Sequence, residues 1–162
     1  MNEIKLARVD FRLMHGQVIT NWVKQVSANH ILVVDEELEK NQFMAQVYLM
    51  AAPPGIKVNI LSPERAVKNL LAGKFSKVSL LVLFKSVESA KETFDLGLSL
   101  DRLQIGGLGS GTGRVMISNQ LSLDEKEALL LKEMGEKGVD IFFQAVPKEP
   151  EIPLSKALEK VL

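Results

Sequence analysis

Short aliphatic runs recur along this chain at intervals that leave room for one helix between each pair, and that alternation restricts the fold more than any other feature. Runs suited to strands fall at Ile4–Val9, Ile31–Asp35, Ile56–Leu61, Val78–Leu83, Arg102–Ile105, Arg114–Ile117 and Val139–Ala145. Between them apolar residues return at helical spacing near 17–28, 38–52, 64–73, 87–96 and 123–136, with a short helix near 154–161. The first of these carries Val18, Ile19, Trp22, Val23 and Val26 on one side. A strand followed by a helix returns parallel, so the pattern predicts an α/β/α sandwich around a mainly parallel, seven-stranded sheet. The link Gly106–Gly113 is too short for a crossover helix, so the sixth strand is expected to return antiparallel near the C-terminal edge. Ser62-Pro63-Glu64 and Ser122-Leu123-Asp124-Glu125 read as helix starts, a serine capping and acidic residues meeting the positive end of the dipole. The stripe Met44, Val47, Tyr48 and Met50 reads as helical core, as does Leu129–Met134, and Trp22 reads as packing. With no internal repeat, low-complexity tract or linker, residues 1–162 are expected to form a single domain.

Composition removes several functions. The 162 residues are 46% hydrophobic and 25% charged, as in an ordinary globular chain with a real core. Twenty basic residues balance twenty acidic ones, so the basic footprint of a nucleic-acid binder is missing and none is expected as a partner. The absence of cysteine excludes disulfides, thiolate metal sites and cysteine nucleophiles. Two histidines and no carboxylate cluster of suitable spacing argue against a transition-metal site, and no cofactor is expected. Met1-Asn2-Glu3-Ile4-Lys5 lacks an apolar signal core, and the longest apolar run, Leu80–Phe84, is too short for a bilayer, so the expected location is the cytoplasm.

Chemistry concentrates in Arg8-Val9-Asp10-Phe11-Arg12-Leu13-Met14-His15-Gly16-Gln17-Val18, where a histidine sits between the first strand and the first helix. Free N–H groups and the dipole at a helix start attract anions there, and Gly16 lets a ligand approach the backbone. If the chain stays extended past the strand, Arg8, Asp10 and Arg12 share one face. Nearby guanidinium charge then biases His15 toward its neutral, nucleophilic form, and the same arginines can clamp a phosphate. A surface or capping role for a lone histidine is the competing reading. The second histidine acts as a control: His30 precedes the run Ile31-Leu32-Val33-Val34 and enters a strand where His15 leaves one. Ligands of parallel sheets bind at the carboxyl ends of the strands, which puts His30 on the opposite rim, roughly 15 Å or more away at about 3.3 Å per strand residue.

The His15 rim also gathers Asp35-Glu36, Ser62, Phe84-Lys85-Ser86 and the loop Gly106–Gly113. Lys85 and Ser86 can touch an anion, although a solvated lysine and a capping serine describe them almost as well. The glycine-rich loop fits neither the Walker spacing nor the dinucleotide fingerprint, and reads as a mobile hairpin connection compatible with a flap over His15.

The segment Arg8-Val9-Asp10-x-Arg12-Leu13-x-His15-Gly16-Gln17-Val18 resembles the active-site segment of the IIB component of mannose/fructose/sorbose-class sugar phosphotransferase systems. Val34-Asp35-Glu36, Met50-Ala51-Ala52-Pro53-Pro54-Gly55, Leu83-Phe84-Lys85-Ser86, Ile105-Gly106-Gly107 with the later Gly113-Arg114 step, Gly138-Val139 and Val146-Pro147 look like that family too. The resemblance implies a strand order 3-2-4-1-5-6-7, setting the fifth strand and its glycine loop beside His15. It implies a cytoplasmic phosphocarrier, held at the inner face of the plasma membrane through the transporter. On the same resemblance, His15 is expected to accept phosphate from a phosphorylated IIA partner, at Nδ1, and to pass it to a sugar bound by the membrane IIC and IID components. A homodimer is compatible with it, and the sugar is not specified.

On that reading Arg8, Asp10 and Arg12 join His15 as catalytic residues, Arg8 or Arg12 and the loop N–H groups binding the equatorial oxygens and Asp10 orienting the site or fixing an arginine. Gly16, Gln17, Lys85 and Ser86 are the expected phosphate-binding positions. Phe11 departs from the acidic residue usual in the family and Met14 from the usual Ile or Leu; Phe11 is expected to pack down or to dock a partner. Two other functions stand beside this one. A non-catalytic α/β domain would sense a phosphorylated ligand in the same anion pocket, and a histidine phosphatase would need an Arg-His-Gly-Glu step and a second catalytic histidine, where this chain has Met14 before His15 and Gln17 after Gly16.

Overall fold

Helices cover both faces of one twisted sheet in the computed structural model, which describes residues 4–162. Met1-Asn2-Glu3, the start of the charged N-terminal segment, lies outside the described residues. The order is β1 (Ile4–Asp10), α1 (Gly16–Val26), β2 (His30–Val34), α2 (Glu36–Lys40), α3 (Gln42–Met50), β3 (Lys57–Leu61), α4 (Pro63–Leu71), β4 (Leu80–Phe84) and α5 (Val87–Asp95). Then follow β5 (Arg102–Gly107), β6 (Val115–Ser118), β7 (Leu121–Leu123), α6 (Glu125–Glu136), β8 (Asp140–Phe143), β9 (Ile152–Pro153) and α7 (Leu154–Val161). Seven strands form the sheet in the order β3-β2-β4-β1-β5-β8-β9. All its pairs are parallel except β8 with β9 at the C-terminal edge.

The period-two pattern of the strands separates two apolar layers. Leu32, Val34, Leu80, Val82 and Phe84 point toward α4, α5, α6 and α7, while Ile31, Val33, Leu81 and Leu83 point toward α1 and α2. Because both faces are covered, β2 and β4 are buried at every position and read as continuous aliphatic runs.

The fold class follows the alternation, with three local corrections. Segment 114–117 does not enter the main sheet: β6 pairs antiparallel with β7 in a separate hairpin, and positions six and seven of the implied strand order are filled by β8 and β9. A two-residue turn at Asn119-Gln120 closes that local pairing at little entropic cost, and Ile117, Leu121 and Leu123 still reach the core. The expected helix over 38–52 is two helices. Asp35 caps α2 through Leu38 N and Asn41 caps α3 through Met44 N, each side-chain oxygen satisfying a free backbone donor. Since α3 packs beyond edge strand β3, only Met44 and Tyr48 of its stripe are part-buried, and Val47 and Met50 face solvent. Finally, α6 is capped by Asp124, not Ser122: Asp124 Oδ1 accepts from Glu127 N at 2.7 Å, and Glu127 Oε1 accepts from Asp124 N at 3.0 Å. Ser122 is instead a buried β7 residue whose Oγ donates to Gly109 O at 2.6 Å and accepts from Arg114 Nε at 2.9 Å.

The pairing of β1 with β5 matters most for the rim. Arg8 lies opposite Gln104 and Asp10 opposite Gly107, with a register shift between Val9 and Asp10. A Cβ on Gly106 would fall onto the Arg8 guanidinium, and one on Gly107 would come within 2.7 Å of Asp10 Oδ1. These two glycines serve the strand by making room for charged side chains of its neighbour.

Asp124→Ala is expected to lower stability by about 1 kcal/mol, the usual worth of a helix cap, measured by urea titration. Gly106→Ala should cost about 1–3 kcal/mol through overpacking against Arg8. The cost should fall by at least about 0.5 kcal/mol when measured in an Arg8→Ala background, the coupling expected of residues in contact.

Candidate active site

Asp10 closes β1 and starts a turn. Its carbonyl accepts from Leu13 N at 2.9 Å and its Oδ1 from Arg12 N at 3.0 Å, so carboxylate and backbone together fold the chain back. Arg12 therefore reaches Asp10 by reversal, not along the extended face expected from alternation. Leu13 completes the turn at φ +55, a left-handed conformation that costs an L-residue roughly 1–2 kcal/mol. Its side chain is buried in the layer beneath α1, which holds the turn in that shape.

His15 is the N-cap residue of α1, with extended backbone (φ −139, ψ 114) and no side-chain capping bond. The imidazole is thus free to turn back toward β1. Gly16 follows at φ +50, and a Cβ there would meet nothing within 4 Å. Glycine is needed at this position for backbone conformation, and the space in front of it is open.

The Asp10 carboxylate organises everything around the ring. Asp10 is fully buried, and its Oδ2 lies 2.9 Å from His15 Nε2 and 3.2 Å from Arg8 Nη2. Its Oδ1 takes the Arg12 amide and stands 3.5 Å from Arg12 Nε. An ionised carboxylate only accepts, so His15 Nε2 carries the hydrogen, and in the neutral ring the lone pair is left on Nδ1. The imidazole side chain is 21% exposed.

The two arginines have different surroundings. Arg8 is 1% exposed and is held by Gln104 Oε1, Asp10 Oδ2 and three carbonyls: Gln144 at 3.1 Å, Gly106 at 3.3 Å and Ala145 at 2.9 Å. Burial lowers its pKa to about 10, with the neighbouring Asp10 opposing the shift, so it remains cationic at neutral pH. Arg12 has a side chain 37% exposed; it donates to Gln120 Oε1 at 3.3 Å and lies 5.3 Å from the Phe11 ring centroid. Phe11 is 44% exposed and lies under the guanidinium on the surface, so it does not pack down into the core. A cleft of about 140 Å³ opens beside Arg12, bounded by Phe11, Gly109, Ser110, Met116 and Gln120.

The remaining expected residues divide between rim and periphery. The pairing of Val9 with Phe84 brings Lys85 and Ser86 to the His15 rim, where Lys85 is exposed and Ser86 caps α5 through Ser89 N at 3.0 Å. Gln17 is exposed and its amide donates to Asn21 Oδ1 at 3.0 Å. No hydrogen bond joins Gln17, Lys85 or Ser86 to His15 or Asp10 among the described residues. His30 begins β2 level with Lys57 and Leu80, at the opposite rim, bonded to Asn59 and edge-on to Phe75 at 5.5 Å. The glycine loop divides too: Gly106 and Gly107 belong to β5, and Arg114 anchors the rest through Ser122, Asp124 and Glu127.

Sequence reasoning missed Gln104, Gln144, Gln120 and the indole of Trp22. The detectable signal was Gln104, a polar residue between the apolar Leu103 and Ile105, which implies a buried partner. Trp22 Nε1 donates to Ala145 O at 3.0 Å, the carbonyl that also receives Arg8 Nη2, and the Trp22 ring lies 5.3 Å from the Arg8 guanidinium.

The model of the family described as PTS system sorbose subfamily IIB component matches residues 4–161. The PTS system sorbose-specific EIIB component of Lacticaseibacillus casei is 32% identical over 158 residues, 98% of this chain and 96% of that protein. The PTS system mannose-specific EIIAB component of Escherichia coli (strain K12) is 25% identical over 98% of this chain, which spans only 49% of that longer protein. Among solved structures, the IIBSor domain of the sorbose permease from Klebsiella pneumoniae superposes with a TM-score of 0.90 at 29% identity, covering 98% of each chain. The manxB structure from Thermoanaerobacter tengcongensis gives 0.89 at 38% identity, covering 97% of this chain and 95% of that one. No helix among the described residues is long and apolar enough to cross a membrane. IIB components act between IIA and IIC/IID partners as protein-Nπ-phosphohistidine–sugar phosphotransferases. This chain belongs to the mannose/sorbose family of phosphotransferase-system IIB components, phosphocarriers that deliver a phosphoryl group to sugar.

Proposed function

We propose that His15 is the residue that carries the phosphoryl group, on Nδ1, between a phosphorylated IIA protein and a sugar bound by IIC/IID. The observation that carries this reading is the 2.9 Å contact of Nε2 with the buried Asp10 carboxylate, which leaves Nδ1 as the nucleophile. In the first step Nδ1 forms the N–P bond while the bond to the donor imidazole breaks, its electron pair returning to the donor nitrogen. In the second a sugar hydroxyl oxygen forms the P–O bond, the hydroxyl proton passes to solvent, and the N–P pair returns to Nδ1. Such in-line transfers ask the protein for alignment and charge stabilisation.

Asp10 aligns the ring and stabilises the cationic imidazole that forms on phosphorylation. Arg12, exposed beside the ring and sharing Asp10 with it, is the guanidinium that meets the equatorial phosphate oxygens. The free amides at Gly16 and Gln17 at the start of α1 complete the anion site. Arg8 acts from beneath as the fixed counter-charge of Asp10, its donors already committed to protein acceptors. Lys85 attracts the incoming dianion from the neighbouring strand end, and Ser86 holds that strand end through its cap. Residues 1–162 work as a single cytoplasmic domain, held at the membrane through the transporter. A phosphatase reading has no second histidine to use, because His30 stands on the opposite rim.

Incubation with phosphoenolpyruvate, the general phosphocarriers and a matching IIA protein should give an acid-labile, alkali-stable label that maps to His15 and disappears in His15→Ala. Label on His30 overturns the assignment, and binding without covalent label returns the chain to an anion-sensing role. Arg12→Ala should slow transfer by about two orders of magnitude, as for a lost preorganised charge ligand, while shifting stability by no more than about 0.5 kcal/mol. Arg8→Ala should instead cost roughly 3–5 kcal/mol of stability, since it leaves Asp10 buried without its partner.

A further inference from the structure

The reacting ring and the carboxylate that orients it belong to different elements. His15 stands at the start of α1 and Asp10 at the end of β1, joined by a four-residue turn. The start of α1 has no side-chain cap bond and no acidic residue in its first turn to anchor it. The alignment of Nε2 on Asp10 therefore depends on how α1 is set along and around its own axis against the sheet.

The buried face of α1 consists of Ile19, Trp22 and Val23. Apolar contacts resist separation but carry little directional preference, so on their own they tolerate sliding and rotation. Trp22 adds a directional contact. Its Nε1 donates to Ala145 O at 3.0 Å, the carbonyl just beyond β8 that accepts from Arg8 Nη2 at 2.9 Å. Both lone pairs of one buried oxygen thus serve α1 and β1 together. The Arg8 guanidinium also lies 5.3 Å from the Trp22 ring, and Arg8 holds Asp10 Oδ2, the atom that receives His15. Trp22 lies seven residues beyond His15, close to two full turns at about 3.6 residues per turn, so the two project from nearly the same side of the helix.

We infer that Trp22 is a positioning residue for phosphoryl transfer, fixing the setting of α1 through the Ala145 carbonyl so that His15 meets Asp10 in register. The inference rests on His15 being the phosphorylated residue. A shift of α1 by a single residue moves the ring about 1.5 Å and turns it by about 100°, enough to lose the Asp10 contact. It also leaves a buried indole N–H without an acceptor, which is what makes the setting unique.

Trp22 is the only tryptophan in the chain, which permits a nearly isosteric test. Biosynthetic replacement of tryptophan by benzothienylalanine puts sulfur in place of the indole N–H at this residue alone and preserves its shape. Trp22→Phe is the genetic counterpart. Phosphoryl transfer from phospho-IIA should slow by about tenfold to a hundredfold in kcat, as a displacement near 1 Å predicts, with KM for the IIA protein within about twofold of the parent because the indole is buried. Nitrogen-15 spectra of the His15 ring should change from a single Nε2–H form to a mixture of tautomers. Parent kcat and a parent imidazole spectrum in the benzothienyl protein overturn the inference. So does a loss of rate that follows only the unfolded fraction while the imidazole signals stay unchanged. Peptide mapping of the label in the parent separates the two readings: label away from His15 removes the phosphorylation assignment and this inference with it, whereas label on His15 with an insensitive Trp22 removes this inference alone.

Discussion

A single carboxylate, removed from water at the end of the central strand, is the constraint on which the rest of the site depends. Asp10 accepts from Arg8, from the Arg12 amide and from His15, and lies close to Arg12 Nε. A buried charge of this kind is tolerable only when its lone pairs are engaged, and each engagement has a structural consequence. The bond from the Arg12 amide shapes the turn, that from His15 fixes the tautomer, and that from Arg8 ties β1 to β5 and to the end of β8. The turn, the ring and the strand junction are parts of one hydrogen-bonded unit.

The electrostatic balance of that unit suits the phosphoryl dianion that the proposed function brings to it. Arg8 and Arg12 outnumber Asp10 by one charge, and only Arg12 presents its charge at the surface. Division between a buried and an exposed guanidinium solves two problems that one arginine could not. A cation sealed beneath the site offsets the charge of the carboxylate and holds its orientation, and a cation at the mouth stays open to solvent. Burial weakens the basicity of Arg8 without neutralising it, so this division persists through the physiological range.

How much of this was legible in the sequence depended on whether a feature was local and periodic. The strand and helix alternation, the placement of His15 at the carboxyl end of β1 and the opposite placement of His30 follow from spacing alone, and the structure has them so. Alternation groups Arg8, Asp10 and Arg12 only if the chain stays extended, and it does not, because an Asx bond to an amide two residues on turns it without leaving a hydrophobic signature. Val47 and Met50 of α3 face solvent despite the apolar stripe, because periodicity reports that a face is apolar, not whether an edge strand is wide enough to cover it. The Arg8 cluster was out of reach for a different reason: Gln104 and Gln144 lie 96 and 136 residues away in the chain, and only the sheet order brings them together.

The glycine pair in β5 shows how such long-range contacts constrain a lineage. The guanidinium at position 8 fills the volume that any side chain at position 106 would claim, and Gly107 stands in the same relation to Asp10. A drifting sequence therefore loses stability if it acquires a β-carbon at 106 while keeping arginine at 8, and strands an acid if it abandons that arginine. Viable descendants must change partner positions nearly at once, and such joint steps are rare. The Gly-Gly step is thus tied to the Arg8–Asp10 pair and not to the loop that follows it.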